Sequence, residues 1–162
     1  MSQAQCEFDY SGSRVLVTGG SNGIGREIAS HFTRSGAEVL ITGTRPSADD
    51  YEHDLSGFEY HSLQLTDAEN LESLAAGLGS LDVLVNNAAV CYNDPTLYGK
   101  VPHTPFAAQA KITIATNFFG TLALTRKLLP LLEKTGTNTS TKPRIINIAS
   151  SAGRLSIIPS QE

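Results

Sequence analysis

TGGSNGIG, from Thr18 to Gly25, lies between two hydrophobic patterns of different period in this 162-residue sequence. The run Val15–Val17 before it is continuously apolar, which is typical of a strand buried on both faces. The residues after it repeat at helical spacing, with Ile28 and Phe32 on one face. A buried strand, a glycine-rich turn and a helix N-terminus in that order predict a site for the pyrophosphate of a dinucleotide.

Three glycines of this turn have separate expected roles. Gly19 allows the tight turn, Gly23 lets the backbone approach the phosphates without a Cβ, and Gly25 lets the helix lie close to the sheet. The helix N-terminus adds free N–H groups and the positive end of the helix dipole. The residues of this segment expected to contact the cofactor are Thr18, Gly19, Ser21, Asn22, Gly23, Ile24 and Gly25.

Strand and helix patterns alternate along the rest of the chain. Strands are predicted at Arg14–Thr18, Glu38–Gly43, Phe58–Leu65, Leu81–Val85 and Arg144–Ala149. The alternation predicts an α/β fold of the Rossmann type, a doubly wound parallel sheet of about five strands that is incomplete for this fold. Residues 1–13 are predicted to be a tail and residues 14–162 a partial dinucleotide-binding domain.

Three helices are predicted between these strands. The first is Ile24–Ser35, and the second begins at a capping box formed by Thr66 and Glu69. The third begins at an N-cap pair at positions 104–105 and runs to about Glu133, unless Pro130 ends it early. The stretch 45–57 is polar and is predicted to be a loop.

Composition narrows the class of protein. A hydrophobic content of 40% supports the core of one domain, and a net charge of −4 gives no reason to expect nucleic acid as a partner. No apolar run has the length of a membrane span, and the first 13 residues lack the pattern of a secretory signal. Cys6 and Cys91 show no metal or redox spacing, so we expect free thiols in a cytoplasmic protein.

Four segments together resemble the short-chain dehydrogenase/reductase family. They are Thr18–Gly25, Leu81–Ala89 with its Asn-Asn-Ala-Ala end, Asn117 in the long helix, and Ile145–Gly153. The resemblance spans nearly the whole chain from Arg14. It implies a nicotinamide dinucleotide as cofactor and the interconversion of a small-molecule carbonyl and alcohol. A weaker resemblance to the carbonyl-reductase branch rests on residues 117–121, 128–132 and 154–162.

By this resemblance, the end of the fourth strand lines the ribose and nicotinamide side of the cofactor. Asn87, Ala88 and Ala89 are the residues expected there, because the carboxyl ends of strands border the ligand crevice in open α/β sheets. The family usually has glycine at Ala89, so an extra methyl group narrows the expected site. Simple capping of the strand end is the alternative interpretation of Asn86 and Asn87.

The tip of the second strand contains no acidic residue, and the first acids are Asp49 and Asp50 in the following loop. Arg45 lies about 20 residues after the last glycine, where the residue that discriminates between NAD and NADP is expected. Its guanidinium can bind a 2′-phosphate through a charge-assisted hydrogen bond of roughly 1.5–3 kcal/mol. This predicts a roughly 10- to 100-fold preference for NADP(H). A solvated loop arginine is the alternative.

Two further residues are expected at the catalytic centre by resemblance. Asn117 would kink the long helix and hold a water in a proton relay; a structural asparagine bound to backbone is the alternative, and both can hold together. Ser150, three residues before Gly153, would hydrogen-bond the substrate oxygen. Its neighbour Ser151 is the second candidate for that role.

The family's acid–base pair, a tyrosine and a lysine spaced Y-x-x-x-K, is missing from this sequence. None of the five tyrosines has a lysine four positions later. We therefore expect a C-terminally truncated member of the family, either an NADP(H)-dependent oxidoreductase whose proton donor lies beyond Glu162 or a catalytically silent NADP(H)-binding fragment. The missing part of the sheet would leave Ile145, Ile146 and Ile148 near an open edge, which predicts self-association.

Overall fold

The computed structural model describes residues 8–90, 106–138 and 142–150. In chain order its regular elements are β1 Arg14–Val17, α1 Gly23–Arg34, β2 Glu38–Gly43, β3 Glu59–Ser62, α2 Ala68–Gly77, β4 Val83–Asn86, α3 Phe106–Ile114, α4 Thr121–Asn138 and β5 Arg144–Asn147. A π-helical segment, Ala115–Gly120, joins α3 directly to α4, and a short 3₁₀ helix, Ala48–Asp50, lies between β2 and β3.

The five strands form one parallel sheet in the order β3-β2-β1-β4-β5. Leu16 of β1 pairs in register with Leu40 of β2 on one side and Leu84 of β4 on the other. The chain therefore builds outward from β1 in one direction and then in the other. The gap between the ends of β1 and β4 is the topological switch point, where ligands bind in folds of this kind.

Alternate residues of β1 enter two separate cores, because successive side chains of a strand point to opposite faces. Leu16 packs in a leucine-rich core with α2 and α4. Val15 and Val17 pack on the opposite face with Ala29 of α1 and with residues of the β2–β3 loop. Both faces of the sheet are thus covered, which confirms the predicted doubly wound α/β fold.

The start of α2 differs from the sequence prediction. Asp67, not Thr66, is the N-cap residue, and its Oδ1 accepts hydrogen bonds from the N–H groups of Glu69 at 2.9 Å and Asn70 at 3.2 Å. The predicted capping box is therefore wrong by one position. Both residue types can cap a helix, and the path of the chain out of β3 decides which of them reaches the free N–H groups.

The long helix also differs from the prediction at its end. It continues through Pro130 and past Glu133 to Asn138. The predicted N-cap at positions 104–105 lies outside the described residues. Strand β3 is shorter than predicted, but Leu63 and Leu65 beyond its end are still buried in the leucine-rich core.

Strand β5 is an edge of the described sheet, as the sequence predicted. Ile145 and Ile148 are exposed, whereas Ile146 is half-buried against the core on the α1 face. On the π-helical segment, Phe118 and Phe119 are 60% and 61% exposed. No helix within the described ranges is both long enough and apolar enough to cross a membrane.

Candidate functional site

The turn after β1 is fastened to the turn after β4 at the switch point. The Thr18 hydroxyl accepts hydrogen bonds from the N–H groups of Asn87 and Ala88, each at 3.0 Å, and donates to the carbonyl of Val85 at 3.3 Å. In return, Asn87 Nδ2 donates to the carbonyls of Thr18 at 3.0 Å and Gly19 at 3.3 Å. We call this set of bonds the β1–β4 clasp, and it holds the turn after β1 against the turn after β4.

Gly25, at the end of the glycine-rich turn, lies in close contact with neighbouring atoms, whereas Gly23 faces open space. Gly19 has a φ of 66°, and its N–H donates to the Thr42 hydroxyl at 3.2 Å. A Cβ on Gly25 would lie 2.3 Å from the Gly19 carbonyl oxygen and 2.4 Å from Asn87 Nδ2. Helix α1 can therefore begin against the clasp only because this position lacks a side chain.

The N-terminus of α1 opens toward solvent. Asn22 is its N-cap, and the Asn22 side chain accepts from the Gly23 N–H at 2.7 Å and lies 3.2 Å from His53 Nε2. Gly23 has a φ of 51°, and a Cβ added there would meet nothing within 4 Å. Ile24 in the first turn is 67% exposed. The arrangement leaves room for an anion at the positive end of the helix dipole.

Arg45 lies at the outer end of this crevice, after β2. Its side chain is exposed, and its guanidinium carbon is 4.8 Å from the centre of the Tyr51 ring. One guanidinium nitrogen donates to the backbone carbonyl of Asp50. The Asp50 carboxylate itself accepts from the N–H of Ser47 at 2.9 Å. Among the ion pairs of the described residues none includes Arg45, so its charge is available to a ligand.

The segment after β4 is held by the π-helical turn. Asn117 Oδ1 accepts from the N–H of Val90 at 2.8 Å, and Asn117 Nδ2 donates to the Val90 carbonyl at 2.8 Å. These contacts match the structural interpretation of Asn117 as an asparagine bound to backbone. They fix the path of the chain immediately after Ala88 and Ala89, which the sequence predicts beside the ribose.

A second polar cluster ties β4 to β5 and α4. Asn86 Nδ2 donates to Asn147 Oδ1 at 2.9 Å and to the Thr125 hydroxyl at 3.1 Å. Ser150 is exposed and lies three residues beyond β5, at the same edge of the sheet as Asn87. The alternative serine, Ser151, lies outside the described residues.

The structure thus joins most of the predicted cofactor residues through the clasp and the α1 N-terminus. It also brings in side chains that sequence reasoning missed, namely Thr42, Tyr51, His53 and Tyr60, the last of which donates its hydroxyl hydrogen bond to the Arg45 carbonyl. Tyr51 and His53 were missed because the stretch 45–57 is polar overall, which favoured an unstructured loop. The available signal was the pair of tyrosines in and after that stretch, since tyrosines at a loop tip usually find hydrogen-bond partners when they are partly buried.

Known proteins are similar to this chain over most of its length. A family model described as short chain dehydrogenase matches residues 13–160. Carbonyl reductase (NADPH) 1 of Homo sapiens is 35% identical over 148 residues, which is 84% of this chain and 48% of that protein. The protein of the same name from Macaca fascicularis is 37% identical over 153 residues, 86% of this chain and 50% of its own length. The chain spans about half the length of the curated relatives it matches.

A solved structure shows the same architecture. The Pseudomonas aeruginosa RhlG/NADP active-site complex superposes with a TM-score of 0.74 at 27% identity, covering 94% of this chain and 60% of that chain. The family match extends over nearly all of the sequence, and the sheet order and the glycine-rich turn agree with it. This chain belongs to the short-chain dehydrogenase/reductase family.

Proposed function

We propose that this chain binds NADP(H) and forms the cofactor-holding part of an oxidoreductase that interconverts a small-molecule carbonyl and an alcohol. The observation that carries the proposal is the glycine-rich turn at the switch point, clasped to the end of β4 by Thr18 and Asn87. The names of the relatives, NADPH carbonyl reductases, support the same cofactor and reaction.

The residues present fit the diphosphate of such a cofactor. The space above Gly23 is open, the α1 N-terminus faces it, and Gly25 holds the helix close to the sheet. Backbone N–H groups of the first helical turn can donate to the phosphate oxygens. The exposed side chain of Ile24 then offers an apolar surface beside them.

The residues expected beside the adenosine favour NADP(H), the cofactor that carries a 2′-phosphate. The tip of β2 carries Arg45 and no acidic residue that would bind both ribose hydroxyls and repel a 2′-phosphate. The first acids along the loop, Asp49 and Asp50, lie in the 3₁₀ helix, where the Asp50 carboxylate is engaged by the N–H of Ser47. We therefore assign NADP(H) rather than NAD(H) to this site.

At the other end of the crevice, the bound nicotinamide would supply or accept the hydride. Ser150 donates its hydroxyl hydrogen bond to the oxygen of the substrate carbonyl in this proposal, which stabilises negative charge on that oxygen. Asn117 positions the chain after β4 by holding both polar backbone groups of Val90. Asn87, Ala88 and Ala89 border the ribose and the nicotinamide.

A second candidate function rests on one observation about the sequence. No tyrosine carries a lysine four positions later, so these 162 residues do not supply the family's acid–base pair. Without a proton donor the carbonyl oxygen cannot be protonated efficiently as the hydride arrives. The alternative is a chain that binds NADP(H) and is catalytically silent.

Titration with NADPH and NADH, followed by cofactor fluorescence and calorimetry, tests the binding proposal. We expect NADPH to bind at least about 10-fold more tightly, the size of one charge-assisted hydrogen bond to the 2′-phosphate. Oxidation of bound NADPH by small aldehydes and ketones then supports the oxidoreductase. Binding without turnover supports the silent alternative, and failure to bind either cofactor refutes both.

A glycine pair provides a matched control for this titration. Gly23→Ala places a methyl group in open space, so the fold is kept at a strain of roughly 1–2 kcal/mol for the left-handed backbone. The methyl group would occupy the proposed phosphate position, and we expect the NADPH affinity to fall about 10-fold or more. Gly57→Ala, also in open space, should leave the affinity unchanged.

A further inference from the structure

Two tyrosines hold Arg45 from both sides of its backbone. The Arg45 N–H donates to the Tyr51 hydroxyl at 3.1 Å, and the Tyr60 hydroxyl donates to the Arg45 carbonyl at 2.5 Å. The Tyr51 ring also lies beneath the guanidinium, within the range of a cation–π contact. The backbone and the side chain of Arg45 are therefore both oriented by the same ring.

The Tyr51 hydroxyl also reaches the glycine-rich turn. It is hydrogen-bonded to the Ser21 side chain, which is buried in that turn. A Cβ on Gly43, the last residue of β2, would lie 2.3 Å from the Tyr51 hydroxyl oxygen and 3.0 Å from Ser21 Oγ. The two hydroxyls converge over the bare backbone of Gly43, at the strand end where the adenosine ribose lies in this fold.

The surroundings of Tyr51 make its hydroxyl a stronger hydrogen-bond donor. Burial alone raises the pKa of Tyr51, but hydrogen bonds with Ser21, Tyr60, the Arg45 N–H and Thr44 together outweigh it and lower that pKa. Burial and the neighbouring Tyr51 raise the pKa of Tyr60. The Arg45 N–H therefore donates to the Tyr51 oxygen and leaves the Tyr51 hydroxyl proton for a ligand, with the Arg45 guanidinium above the same ring.

We propose that Tyr51 is a specificity-determining residue for the cofactor, which orients Arg45 and donates its hydroxyl hydrogen bond to the phosphate on the adenosine 2′ position. The inference rests on the proposed function, because it assumes an NADP(H) site. It adds the Tyr51 hydroxyl as a second group that, together with the arginine, discriminates the two cofactors. The stacked ring restricts the guanidinium to one orientation before the ligand arrives, which lowers the ordering cost of binding.

Calorimetry with two fragments of the cofactor tests this role without any turnover. Adenosine 2′,5′-bisphosphate and 5′-AMP differ only in the 2′-phosphate. In Tyr51→Phe the ring beneath Arg45 remains and the hydroxyl is lost, so we expect about a 10-fold loss of bisphosphate affinity. The affinity for 5′-AMP should stay unchanged, which also shows that the variant is folded. Tyr10→Phe, which removes the hydroxyl of a tyrosine whose ring packs edge-on against Phe32 away from the site, is the matched control.

A double-mutant cycle tests whether Tyr51 acts through Arg45. Tyr51→Leu removes the ring as well, and we expect a larger loss of bisphosphate affinity than in Tyr51→Phe. Combined with Arg45→Gln, its effect should be smaller than the product of the two single effects, because the residues act as one unit. Multiplicative effects would show that the ring does not orient the arginine and would overturn that part of the inference.

The possible failures are distinguishable. A wild-type chain that prefers the bisphosphate, with the same preference in Tyr51→Phe, overturns the role of Tyr51 and leaves the proposed function standing. An equal loss for both ligands shows a purely structural role, and a gain in bisphosphate affinity shows that the hydroxyl blocks the site; either result also overturns the inference. A wild-type chain that binds neither fragment nor NADP(H) refutes the proposed function together with the inference.

Discussion

Replacing Thr18 by valine tests the clasp that joins the two halves of the site. The Thr18 hydroxyl accepts two backbone hydrogen bonds and donates one, which uses its full capacity. Valine keeps the shape of the side chain but leaves the N–H groups of Asn87 and Ala88 without this acceptor. Each unsatisfied buried donor costs about 1–3 kcal/mol, and both groups are only half-buried, so we expect a loss of about 2–3 kcal/mol in the free energy of unfolding.

Urea unfolding followed by circular dichroism measures this loss, provided that the slope of the transition stays the same as in the wild type. Thr18→Ser is the matched control, because it keeps the hydroxyl and loses a single methyl group worth about 0.8 kcal/mol. NADPH affinity should fall in the valine variant and not in the serine variant. A valine variant as stable as the serine variant would refute the assignment of the hydroxyl as the centre of the clasp.

Three further outcomes follow from the described contacts. Asn117→Leu should lower the free energy of unfolding by about 1–3 kcal/mol in urea titrations, because both polar backbone groups of Val90 lose their partner. Asp67→Ala should cost about 1 kcal/mol in the same assay through loss of the α2 cap, whereas Asp67→Asn should be nearly neutral. In sedimentation velocity, the exposed rings of Phe118 and Phe119 and the apolar β5 edge should produce species heavier than 17.2 kDa, and a monodisperse species at that mass would contradict this expectation.

Much of the fold could be predicted from the sequence because its signals are local. Apolar runs mark β1, β2 and β4, and the glycine-rich turn marks the change from strand to helix. Boundaries were less certain where neighbouring residues compete for one role, as Thr66 and Asp67 do at the start of α2. The end of α4 was misplaced for a different reason, because Pro130 is a local signal for a helix end, whereas the helix continues past it to Asn138.

The residues of the candidate site also fall into two groups, those that local sequence signals predict and those that only the tertiary structure brings together. The sequence by itself determined where the turn needs a left-handed backbone, at Gly19 and Gly23, because that need depends on local φ angles alone. The close approach of Gly25 to Asn87 depends on the tertiary structure. The support of Arg45 by Tyr51, and of Val90 by Asn117, was decided only by the tertiary structure. Those contacts depend on how the β2–β3 loop folds back toward the glycine-rich turn and how the π-helical turn packs near the end of β4, and no local pattern in the sequence carries that information.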